Sequence, residues 1–123
     1  PVMVRWDAKR IEQLLGNLLD NSLHYTDAPG RVLVRLRNGE GNKLVMEVED
    51  TAPGVSGSDL RRIFEPLYRA DVSRGRSTGG SGLGLAICEQ IAKAHHGAIR
   101  ADPSELGGVL FHLELPRLGD EAV

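Results

Sequence analysis

The run Gly79-Gly80-Ser81-Gly82-Leu83-Gly84-Leu85-Ala86-Ile87 constrains this chain more than any other feature. Glycines and a serine pass without a break into an apolar segment with the pattern of a helix. Glycine lets backbone amides approach a ligand closely, and a helix N-terminus adds unpaired N–H groups and a favourable dipole. Such a junction is a seat for phosphate. It lacks the Gly-Lys-Ser/Thr ending of a P-loop, and its Gly80-x-Gly82-x-Gly84 spacing misses the G-x-G-x-x-G of dinucleotide folds. The neighbouring motifs must therefore say which phosphate chemistry follows.

At 123 residues the chain is long enough for one domain, spanning 1–123, with a substantial core. A formal net charge of −2 gives no reason to expect nucleic-acid binding. No apolar stretch approaches the roughly 20 residues that cross a bilayer, so no direct membrane contact is expected. No signal-peptide pattern opens the sequence. Its start at Pro1 rather than a methionine reads as a piece of a longer protein. The single cysteine, Cys88, excludes an internal disulfide, and its neighbours Leu85, Ala86, Ile87 and Ile91 predict a buried structural thiol. A reducing, cytoplasmic setting fits.

Along the chain, Val2 to Trp6 predicts a short strand, and Asp7 an N-cap for a helix to about Tyr25. Ile11, Leu14, Leu15, Leu18 and Leu19 form one apolar stripe on that helix. Thr26 to Gly30 ends it. Arg31–Arg37 and Lys43–Glu49 alternate, joined by the hairpin turn Asn38-Gly39-Glu40-Gly41-Asn42. Ser56, with Asp59 in capping-box position, predicts a helix through Ile63-Phe64 that stops near Pro66. From Arg69 to Ser81 almost nothing is apolar, which predicts a functional loop. A helix from about Gly82 to His96 follows, closed by Gly97 at C′, then strands near Ala98–Ala101 and Val109–Leu115. The order predicts an α+β two-layer sandwich, with helices on one face of a mixed, mostly antiparallel sheet.

Three groups of residues carry chemistry. Asn17 and Asn21 are one helical turn apart and share a face. They read either as surface amides or as oxygen ligands for a hard cation such as Mg²⁺, whose shell phosphates and waters would complete. Asp50-Thr51-Ala52-Pro53-Gly54 reads either as a turn or as a carboxylate that accepts from an exocyclic amine, with Gly54 admitting a flat base. Arg69, Arg74 and Arg76 face one acid, Asp71, in the polar loop. They are solvated charges or neutralise a transferred phosphoryl group.

In this order the motifs resemble the ATP-binding catalytic domain of bacterial two-component sensor histidine kinases. Leu15 to Thr26 looks like the N box and Asp50 to Gly54 like the G1 box. Ile63-Phe64-Glu65-Pro66-Leu67-Tyr68-Arg69 looks like the F box, and Gly80-Ser81-Gly82-Leu83-Gly84-Leu85 like the G2 box. Gly107-Gly108 with Phe111 stands in place of the last glycine motif. Ala-Pro-Gly in G1 resembles the envelope-stress sensor subgroup.

The resemblance implies the Bergerat ATP-binding fold, shared with gyrase, the ninety-kilodalton heat-shock chaperones and the MutL repair proteins. It places Asn21 on the Mg²⁺ ligand and Asn17 on its upstream partner. Tyr25 falls on the aromatic that packs against adenine, Asp50 on the acceptor of its amino group, and Gly54 beneath the base with Val55 beside it. The Gly80, Ser81, Gly82, Leu83, Gly84 and Leu85 segment would face the phosphates, and Arg69 the terminal one; Gly75 to Gly80 would belong to an ATP lid of about 69–81. His24 stands where many members have lysine or arginine for a phosphate contact, and Ala52 replaces the first G1 glycine.

The resemblance further implies ATP and Mg²⁺ as cofactors. It implies phosphoryl transfer to a histidine on a separate dimerisation domain, a response-regulator partner, and a cytoplasmic place in an inner-membrane sensor. His24, His95, His96 and His112 lack the surroundings of an acceptor histidine. His95 and His96 point roughly 100° apart on a helix, which suits helix-terminal residues better than a metal pair. Other readings share the fold, among them a serine kinase directed at regulatory proteins, from which the lid and F box differ. Another is a nucleotide-binding module without catalysis. A third is a gyrase- or chaperone-type ATPase, which would need a glutamate base where this chain has Asn17.

Overall fold

The computed structural model describes residues 3–51, 53–68 and 83–117. Ala52, Arg69, Arg74, Arg76, Asp71, the glycines Gly75 to Gly80, and Ser81 and Gly82 therefore lie outside the described residues, as does the expected lid.

Helix α1 runs Ala8–Tyr25, and the Asp7 carboxylate caps it by accepting from the Arg10 N–H at 3.2 Å. Its stripe works as the spacing predicts: Ile11, Leu14 and Leu18 are buried, with Leu15 and Leu19 at the margin of the core. Strands β1 (Val32–Asn38) and β2 (Lys43–Thr51) form the expected hairpin, closed where the Gly39 N–H donates to the Lys43 carbonyl.

Helix α2 is a single turn, Gly57–Leu60, shorter than the sequence predicts. Ser56 caps it as expected. Beyond it the N–H groups of Arg62 and Glu65 bond three residues back, to Asp59 and Arg62. This tighter winding carries Ile63 into the core and sets the Phe64 ring edge-on to Phe111, with centroids 6.2 Å apart.

Helix α3 spans Gly84–Ala94, then β3 (Ala98–Pro103) and β4 (Gly107–Pro116) complete the sheet. The helix ends in a Schellman pattern, with Gly97 N–H bonded to Ala92 O and His96 N–H to Lys93 O. The left-handed C′ residue is His96, at φ 63°, and not Gly97 as the sequence predicts. Gly97 is required for space instead: a Cβ there would overlap the Glu114 carbonyl oxygen.

The strands lie in the order β1-β2-β4-β3, each pair antiparallel. Val48 stands between Val34 and Phe111, and Met46 between Leu36 and Leu113, so one face carries the apolar set. Helices α1 and α3 cover it. The opposite face is a ladder of charge, with Arg35 paired to Glu49, Arg37 to Glu47, Lys43 to Glu114 and Glu47 to His112. Charged residues alternating with apolar ones separate the two faces over β2 and β4, while Val34 and Leu36 on edge strand β1 stay exposed.

The expected strand at Val2 to Trp6 does not form among the described residues. The segment is tied down at single points: the Arg5 N–H donates to Arg117 O at 2.6 Å and the Trp6 indole N–H to Pro116 O at 2.8 Å. Two isolated bonds to the end of β4 do not make a ladder.

Candidate nucleotide site

Asp50 is the centre of the site. Strand β2 carries it to the end of the sheet, one residue beyond the last regular pairing with β4. There the register slips, with Glu49 opposite Leu110 but Thr51 opposite Gly107. The slip is a bulge, which bends a strand and leaves backbone groups without ladder partners. One such group, the Val109 N–H, donates to Asp50 Oδ1 at 2.8 Å. A side chain thus replaces a ladder bond.

Gly108 makes this contact possible, since a Cβ at that position would overlap the Asp50 carboxylate. Gly54 sits at φ 70°, the left-handed region, and a Cβ there would come within 2.9 Å of Gly108 Cα. The floor beside the carboxylate is therefore bare backbone. A flat, side-chain-sized ligand fits against such a surface.

Asp50 is only 1% exposed, and its Oδ2 is buried with no hydrogen-bond partner among the described residues. The hydroxyls of Ser22 and Thr26, on and just after the last turns of α1, are also buried without one. Burial pushes the Asp50 carboxyl above the usual range; the Val109 N–H and the nearby Ser22 hydroxyl, which faces the carboxyl without the geometry of a hydrogen bond, pull the other way, and Glu49 adds repulsion. An unsatisfied acceptor of this kind costs stability unless a donor arrives. The arrangement can take an amine from a ligand.

Helix α1 brings the amides to the same end. Asn17 is half-buried and its Nδ2 donates to the Gly84 carbonyl at 3.2 Å, which joins the N box to the first residue of α3. Asn21 is half-buried one turn on, and His24 occupies the last turn. Tyr25 is the last residue of α1; its side chain lies outside the description, so the expected packing on adenine is not described. An isolated bridge from Thr26 to Pro53 fastens the end of α1 to the segment carrying Gly54 and the half-buried Val55.

Leu83 is the N-cap of α3 and its apolar side chain supplies no cap to the first turn, which Gly84 and Leu85 open. Leu85 itself is buried and belongs to the core. Cys88 is fully buried as expected, its thiol donates to Leu14 O at 3.5 Å, and burial pushes its pKa up to about 12. It is packing, not chemistry.

The contacts tie Asn17 to Gly84 and set Asp50 and Gly54 against Gly108 and Val109; Asn21 and His24 lie farther along α1, Val55 follows Gly54, and Leu83 and Leu85 flank Gly84. Ser22, Gly108 and Val109 were not among the residues read from the sequence as binding. Ser22 gives a signal in hindsight: it continues the Ile11, Leu14, Leu18 stripe with a hydroxyl where a core residue is due.

Residues 6–119 match the sequence profile of the histidine kinase-, DNA gyrase B- and HSP90-like ATPases. The chain belongs to this family. Its relatives place it on the sensor-kinase branch. It is 47% identical over 116 residues to the signal transduction histidine-protein kinase BaeS of Escherichia coli K12, covering 94% of this chain and 24% of BaeS. Sensor protein RstB of the same organism is 44% identical over 110 residues, 89% of this chain and 25% of RstB. The chain therefore spans about a quarter of the length of these relatives.

Solved structures agree. The mycobacterial sensor histidine kinase MprB superposes with a TM-score of 0.82 at 31% identity, covering 95% of this chain and 78% of that one. Full-length ShkA in complex with AMPPNP gives 0.73 at 34% identity, over 90% and 22%. Histidine kinase ThkA in complex with the response regulator TrrA gives 0.73 at 28%, over 93% and 30%. The fold is that of histidine kinase catalytic domains, the Bergerat fold, and as an ATPase-family domain it binds ATP.

Proposed function

We propose that this chain is the catalytic domain of a sensor histidine kinase, which binds Mg²⁺·ATP and passes the γ-phosphoryl group to a histidine on a separate dimerisation domain. The observation that carries the reading is Asp50: a buried carboxylate with an unpaired Oδ2, fixed by a backbone N–H and floored by glycines. Adenine supplies an exocyclic amine to the unpaired oxygen, and its ring lies against the Gly54–Gly108 backbone. Gyrase-type hydrolysis is disfavoured, since Asn17 carries no basic group and its amide is committed to Gly84.

The donor set suits a hard cation. Asn21, with Asn17 behind it, would hold Mg²⁺ through amide oxygen, and phosphates and water would complete the shell. When bound, the cation neutralises charge on the phosphates. The first turn of α3, opened by Leu83, Gly84 and Leu85, directs amides at phosphate oxygens, and His24 donates a further hydrogen bond from the last turn of α1. The protein positions; the acceptor reacts. An imidazole nitrogen of the acceptor attacks the γ-phosphorus, the bond to the β–γ bridging oxygen breaks, and ADP leaves.

A response regulator then takes the phosphoryl group; support comes from ThkA, whose structure holds one. Among the described residues no helix is long and apolar enough to cross a membrane. A module that consumes ATP works in the cytoplasm, where ATP is.

The test is transfer from [γ-³²P]ATP to a histidine-bearing helical hairpin supplied in trans. Asn21→Ala should abolish labelling while the fold, read by circular dichroism, persists. Nucleotide binding by the unmodified chain without transfer would instead support the non-catalytic module.

A further inference from the structure

Helices α1 and α3 run antiparallel, and three hydrogen bonds cross between them in one consistent register. Asn17 Nδ2 donates to Gly84 O at the nucleotide end, at 3.2 Å. The Cys88 thiol donates to Leu14 O halfway along, at 3.5 Å. At the far end the Asp7 N–H donates to His95 Nε2, at 3.0 Å. The thiol bond is weak, because sulfur is a poor donor. The register is therefore held at its two ends.

His95 is specified at both ring nitrogens. Nε2 accepts from a backbone N–H, so it carries a lone pair. Nδ1 lies 2.9 Å from Ile91 O, and a carbonyl can only accept, so Nδ1 carries the proton. The ring is then neutral and locked in one tautomer. The ring bonds across to α1 as well as back to its own helix. Asp7, its partner, caps α1, and the residues just before are bonded to Pro116 and Arg117 at the end of β4. One imidazole thus joins the leading segment, the start of α1 and the end of α3.

We infer that His95 is a positioning residue: it fixes the axial register of α1 against α3, and with it the spacing between the asparagine amides and the phosphate-facing first turn. The inference rests on the nucleotide reading of that site. A ring lacking the acceptor lets the helices slide at the far end. The competent arrangement is then only part of the population, and apparent affinity falls by that fraction.

Two measurements on the 123-residue chain test this. Long-range ¹H–¹⁵N NMR of the imidazoles should show His95 protonated at Nδ1 and bare at Nε2. A ring protonated at Nε2, or a tautomer mixture, overturns the clamp without any variant having to fold. Calorimetric titration with Mg²⁺·AMPPNP then compares His95→Phe, which keeps a ring but no acceptor, with His95→Gln, which keeps an acceptor. His95→Phe should bind roughly threefold to tenfold more weakly, the effect of one hydrogen bond, and His95→Gln should recover most of the loss. Equal affinity for wild type and His95→Phe, or no recovery with glutamine, overturns the inference. A wild type that binds no nucleotide overturns the site reading itself.

Discussion

Asp50 shows how function is held against stability at the level of one residue. Its carboxylate is buried with one oxygen unpaired, and its pKa is raised chiefly by that burial. A carboxyl with a raised folded-state pKa favours folding most below the ordinary carboxylate range, where it is protonated in both states. That advantage is lost as pH rises through its folded value. As pH rises into the range where the group ionises, burying the charge costs the free protein stability. Asp50→Asn keeps an oxygen for the Val109 N–H and removes the charge. The melting temperature of the free variant should rise at pH 7, while Mg²⁺·ATP binding weakens at least about tenfold, because an amide donor now faces the adenine amine. Scanning fluorimetry and calorimetry check the two halves. A variant that melts lower in the free form contradicts this account of the burial.

At the scale of elements, the site depends on how the end of β2 meets the β3–β4 turn. Ser104 in that turn accepts the Leu106 N–H at 2.9 Å and donates to Glu49 Oε2 at 2.6 Å. Its own N–H bonds Gly108 O, which sets Gly108 against Asp50. The Ser104 hydroxyl holds the Glu49 carboxyl below its usual range, opposed by burial and helped by Arg35. A lowered folded-state pKa stabilises above the ordinary carboxylate range, and that contribution is lost as pH falls through the folded value. Ser104→Ala should cost about 1–3 kcal/mol at pH 7, with the deficit narrowing under acid conditions. Urea unfolding at pH 7 and pH 4 reads this directly, and a deficit independent of pH counts against the Ser104–Glu49 bond.

Elements were legible in the sequence where local chemistry decides them. Asp7 and the leucine stripe gave α1 to the residue, and alternation around a five-residue glycine turn gave the β1–β2 hairpin. They were not legible where a distant partner decides. The N-terminal segment alternates well enough for a strand but finds only two bonds at the end of β4. Helix α2 stops after one turn because Ile63 and Phe64 are drawn into the core, and His96 takes the left-handed position because Gly97 is needed against β4.

For the whole molecule, the architecture is two layers whose functional groups gather at one end. The motifs can be read in order from the chain, and the contacts join Asn17 to Gly84 and set Asp50 and Gly54 against Gly108. What spacing could not show is how Asp50 is held. Its fixing bond comes from Val109, 59 residues away, through a bulge that has no sequence signature beyond two glycines. In the proposed function this bulged corner reads an adenine. Titrating the ¹⁵N-labelled chain with Mg²⁺·ATP and, separately, Mg²⁺·GTP tests it most directly. Guanine places a carbonyl oxygen where adenine has its amine, so it faces the Asp50 carboxylate with repulsion. The amides of Gly54, Gly108 and Val109 should shift on saturable addition of ATP and stay near their free positions with GTP at the same concentration. Equal shifts with both nucleotides, or shifts confined to the charged outer face of the sheet, would contradict it.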